Sequence, residues 1–151
     1  MTTTKKILFA SGILQFALAL FQAGIAFSPS LSLYFGAPES LVGSRLALMG
    51  TSFFVSGLLI LFGLYALSGA GAIRPLPWLR QVLAVIGGIY LLRGLVLIPE
   101  VLVIAGVVVA AIPIAPRFVV MSACALAVGS LFVAGTVGGW ASLSPGGDAT
   151  P

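Results

Sequence analysis

Hydrophobic residues in this chain run in long blocks, and the polar residues collect between them. Four blocks, residues 6–27, 45–67, 78–98 and 117–140, reach the length of about 20 apolar residues that a helix needs to cross a bilayer core. Helix is the form open to them, because an isolated strand would leave backbone groups unpaired in lipid. The pattern therefore predicts an all-α fold: one membrane domain, a four-transmembrane-helix bundle of antiparallel up-down topology.

The interruptions carry helix-ending and helix-starting chemistry. Ser28–Pro29–Ser30 closes the first block. Pro38 and Glu39 place a proline and then an acid where a helix would begin, so the second helix is expected to start near Pro38 and enter the membrane obliquely. Residues 68–77, with glycines first and prolines after, read as a tight turn, and Pro99, Pro113 and Pro116 bracket the third connection. Residues 101–112 are apolar but too short to span; they extend the third helix past a kink at Pro99, dip in and return, or, as the favoured form, make a short helix lying at the outer surface. Residues 144–151 read as a flexible tail.

Composition agrees with the blocks. Charged residues make up 7% of the chain, against roughly a quarter in soluble domains. The seven cations are scattered, so no basic surface for nucleic acid forms. With no histidine and one cysteine, an ordinary zinc or iron site is not expected, and no cofactor is implied. Cys124 is read as a small packing residue.

The cations act instead as topology signals. Lys5 and Lys6 precede the first span, and Arg74 and Arg80 flank the second connection. The positive-inside rule puts both ends of the chain in the cytoplasm, in a bacterial inner (plasma) membrane, with Trp78 and Trp140 at the cytoplasmic interface and Tyr34 and Phe35 at the outer one. Gly24 and Ala26 resemble the cleavage region of a secretory leader, but the apolar stretch exceeds the usual length of about 7–15 residues, so the first span is read as retained.

Inside lipid, helices associate through close backbone approach, so small residues four apart should mark the seams. The candidates are Ala19/Ala23, Ser52/Ser56, Ala84/Gly88 and Ser130/Ala134/Gly138.

Few polar residues remain at membrane depth. Arg93, inside the third block, is expected to pair with Glu100 or Glu39 near the outer rim or to snorkel to headgroups. Gln22, Arg45, Tyr90, Arg93 and Glu100 together form the candidate ligand-binding site. Guanidinium forks with an amide and a phenol suit a phosphate, a carboxylate or a quinone carbonyl.

The stretch GLYALSGAGAIRPLPWLRQVLAVIGGIYLLRGL, residues 63–95, resembles small bacterial inner-membrane proteins of four helices, DoxX-like in general layout. That resemblance implies a four-helix bundle and, for some relatives, association with respiratory partners. It supplies no catalytic residues. No catalytic residues and no enzyme chemistry are expected, since no nucleophile–base pair lies at membrane depth. Three roles follow: a non-enzymatic accessory or scaffold subunit, a binder of an anionic or quinone-like amphiphile at the outer pocket, or a small oligomeric transporter or channel protomer. The expected partners are membrane lipids and another membrane protein or further copies of this chain.

Overall fold

The structure, a computed structural model, describes residues 2–109, 115–141 and 143. Its regular elements are all helices: α1 (Thr3–Ile25), α2 (Pro29–Tyr34), α3 (Glu39–Val42), α4 (Arg45–Gly69), α5 (Leu79–Leu95), α6 (Leu97–Ile104) and α7 (Pro116–Gly138). Four runs are long and apolar enough to cross a membrane: α1, α4, the α5–α6 run Leu79–Ile104, and α7.

Local chemistry sets the helix ends. The side chains of Thr2, Ser28 and Ser44 each accept the backbone N–H three residues on, at 3.4 Å, which satisfies one orphan donor of α1, α2 and α4. Pro29 and Pro116 stand in the first turn of α2 and α7, where a missing N–H costs nothing. The expected oblique lead into the second span is instead a separate single turn, α3, because the chain breaks at Gly43 and Ser44 caps α4 anew.

The third span differs more. It does not end at residue 98 but continues as α6 to Ile104, packed on α7. Pro99 cannot donate to the carbonyl of Leu95, so the ladder is interrupted between α5 and α6 while Val96 keeps helical dihedrals. Residues 101–104 thus belong to the same candidate span as α5, the extension past Pro99. Residues 105–109 leave it through a turn at Gly106, φ +73°. Residues 110–112 of that segment, and the tail 144–151, lie outside the described residues.

α1 packs mainly on α4 and α5 mainly on α7, and contacts of α1 with α7 and of α4 with α5 close the ring. Leu8 meets Gly69, Gly12 meets Gly63 and Leu67, and Ala19 accepts the Ser56 hydroxyl at 2.8 Å, so residue numbers climb on α1 as they fall on α4. The same holds for α5 and α7, where Gly87 meets Phe132 and Val133, Leu91 meets Gly129, and Gly94 meets Leu126. The backbones touch at these points: a Cβ on Gly94 would stand 2.6 Å from the Leu126 Cα.

Leu8, Leu83, Ile86 and Phe132 fill the centre. Only 22–28% of each span is buried, and the outward faces carry Leu20, Leu46, Leu92 and Val137, each more than 60% exposed. An outer surface of that kind matches lipid rather than water. The Lys5 ammonium lies beside Gly71, so the start of α1 and the α4–α5 connection share one end of the bundle. Trp78 sits in that connection, 77% exposed and in the left-handed region at φ 56°. Trp140 is close by, with the Arg80 guanidinium 4.9 Å over its ring.

Candidate functional site

The five residues singled out in the sequence do not form one site. Among the described residues no hydrogen bond or ion pair joins any two of them. Each has its own surroundings.

Tyr90 points into the bundle. Its hydroxyl donates to Oε1 of Gln15 at 2.9 Å, and its ring stacks on Phe132 and meets Phe62 edge-on. α1 and α5 face each other across the ring of helices, so this bond crosses the centre. Gln15 is fully buried and its Nε2 has no partner.

Arg93 is exposed and reaches to α7, where Nη1 donates to the Ser122 hydroxyl at 2.7 Å. The expected carboxylate partner is not there. Glu39 is exposed on α3, and Glu100 lies beyond the α5–α6 interruption, only 6% exposed, with Oε2 unpartnered. The interruption separates the two residues that an unbroken helix would have put on one face. Arg45 is exposed at the start of α4. The Arg117 guanidinium lies 4.6 Å over the Tyr34 ring, which ties α7 to α2.

Gln22 lines a half-open cavity of about 230 Å3 between α1, the α2–α3 cap, α4 and Met121 of α7. Ser32, Thr51 and Ser52 bring hydroxyls to the same cavity, and no charged side chain lines it. Sequence spacing pointed to Ser52 only as a seam residue. Nothing in the spacing singled out Ser32, Thr51 or Ser122, whose roles depend on contacts between distant segments.

The small residues divide into two groups. Ser56 and Ala19 are buried in the α1–α4 seam as expected, Ser52 is buried but borders the cavity, and Gly138 abuts Thr4. Ala84, Ser130 and Ala134 are exposed, and a Cβ on Gly88 would meet nothing within 4 Å. Successive helical residues step about 100° around the axis. Ile86, Gly87 and Gly88 thus run from core to seam to outside, and Val128, Gly129 and Ser130 do the same on α7. Gly88 and Ser130 lie on the same outer side of the α5–α7 seam, each with a small residue one turn away, Ala84 and Ala134. Small side chains thus stand together on this outer side, among the exposed Val85, Leu92 and Val137. Cys124, expected to pack inside, is exposed on α7.

These features define a helical bundle with four candidate membrane spans. Comparison with protein-family models, curated proteins and solved structures finds no match for the chain.

Proposed function

We propose that the protein is a non-enzymatic accessory or scaffold subunit of the bacterial inner membrane, with both termini cytoplasmic, and that it receives a partner transmembrane helix along the outer face of α5 and α7. The observation that carries this reading is the outward-facing set Ala84, Gly88, Ser130 and Ala134. Small residues let helix backbones approach closely in lipid, where the hydrophobic effect gives no drive to associate. The bundle's own seams use other glycines, Gly87, Gly94 and Gly129, so the outer set is left over for a second molecule.

The orientation rests on Lys5, Lys6, Arg74 and Arg80, which belong to one end of the bundle. The partner helix belongs to another membrane protein or to a second copy of this chain. The test is extraction of the tagged protein in mild detergent after crosslinking in native membranes. The wild type should carry a stoichiometric partner, or a second copy of itself. Ala84→Leu combined with Ala134→Leu should lose it while melting unchanged. Retention of the partner by a folded double variant would refute this docking face.

A further inference from the structure

The buried hydroxyls share a rule, and one residue breaks it. Ser11, Ser32, Ser56, Ser68 and Thr136 donate to backbone carbonyls at 2.7–3.0 Å, and Ser122 accepts from Arg93. Ser52 is only 5% exposed, yet its hydroxyl makes no hydrogen bond to any described residue. A helical serine ordinarily bonds back to the carbonyl four residues earlier when nothing better is in reach. The Ser52 hydroxyl opens instead onto the cavity between α1, α4 and the α2–α3 cap.

That cavity has the properties of a site. Gln22, half-buried, and Thr51, exposed, line it as well, so an amide residue and two hydroxyl residues border one space. Apart from Ser32, whose hydroxyl is bonded to the Ile25 carbonyl, the remaining lining residues are apolar, Phe21 and Phe35 among them. The roof is fixed in four ways. Ser32 bonds the Ile25 carbonyl at 2.9 Å, and Phe35 meets Phe21 edge-on at 5.1 Å. Phe118 packs on Gly36, whose φ of +95° favours glycine, and Arg117 covers Tyr34.

We propose that this cavity binds the head of an uncharged amphiphile, a neutral lipid of the diacylglycerol type, through Ser52, Thr51 and Gln22. Charge selects against the alternatives. An anionic head would be stripped of water with no cation in the lining to replace it. Size fits a head and not a whole lipid: about 230 Å3 corresponds to roughly seven or eight waters at about 30 Å3 each, so acyl chains would lie outside along the apolar helix faces. A hydroxyl and two ester carbonyls supply both a donor and acceptors for these three residues. This site is separate from the outer face of α5 and α7 and stands or falls independently of it.

The experiment is thermal melting of the purified protein in detergent with dioleoylglycerol, with dioleoylphosphatidylglycerol as the anionic control. Dioleoylglycerol should raise the Tm of the wild type, as any ligand specific to the folded state does. Ser52→Val should melt normally without lipid and lose most of that shift, and the phosphatidylglycerol should shift neither. No shift in the wild type, the outcome for a cavity that holds only water, would overturn the proposal. So would a shift retained in Ser52→Val, or one equally large with the anionic lipid. If Ser52→Val does not fold, Thr51→Val, an exposed position on the same wall, gives the same reading.

Discussion

Gly87 and Gly88 are neighbours in sequence and opposites in environment. A Cβ on Gly87 would stand 2.9 Å from Val133 Cγ2, whereas one on Gly88 would meet nothing. Gly87→Ala should therefore destabilise the bundle by about 1–3 kcal/mol, the usual cost of overpacking. Gly88→Ala should change it by no more than about 0.5 kcal/mol. Denaturant unfolding in mixed micelles reads both, and equal effects would mean that the α5–α7 seam is misassigned. A second pair concerns the bond across the centre. Tyr90→Phe leaves Gln15 Oε1 buried without a donor, so it should cost about 1–3 kcal/mol. Adding Gln15→Leu removes the orphaned group, and the double variant should be more stable than Tyr90→Phe alone. Glu100 follows the same logic. Its Oε2 is buried and unpartnered, so Glu100→Leu should raise the Tm. A fall would show that the carboxylate has a partner in the membrane.

At the scale of elements, the reason that some features were legible is geometric. Block length is a one-dimensional property, so the four spans could be read from hydropathy, and α1, α4 and α7 begin or end within a few residues of the expected limits. Spacing of small residues says which residues share a face, but not what that face meets. Ala84/Gly88 and Ser130/Ala134 were rightly paired on their helices but point outwards, while Gly87, Gly94 and Gly129 hold the α5–α7 seam. The α5–α6 run shows the other limit. A proline after a hydrophobic block reads as an end, yet here the helix resumes and reaches 26 residues, about 39 Å at the α-helical rise. In Pro99→Ala the new amide should bond the Leu95 carbonyl and exchange hydrogen as slowly as its neighbours in α5. Fast exchange there would mean that packing on α7, and not the proline ring, holds the break.

For the molecule as a whole, the polar residues were legible as a set of expensive side chains but not as a network. Arg93 was expected to meet an acid or to snorkel, and it meets Ser122. Gln22 lies at a cavity, and its polar companions there are Ser32, Thr51 and Ser52 rather than arginines. Such partners come from the order of the helices around the ring, which residue spacing does not contain. That order, with the start of α1 beside the α4–α5 connection, is the basis for both the orientation and the two proposed sites. It is tested most directly by single cysteines in a Cys124→Ala background, labelled on intact cells with a membrane-impermeant maleimide. Ser40→Cys, in α3, should label from outside, and Ala72→Cys, in the α4–α5 connection, should label only after the membrane is opened. Labelling of both from outside would contradict the bundle, and labelling of Ala72→Cys alone would contradict its orientation.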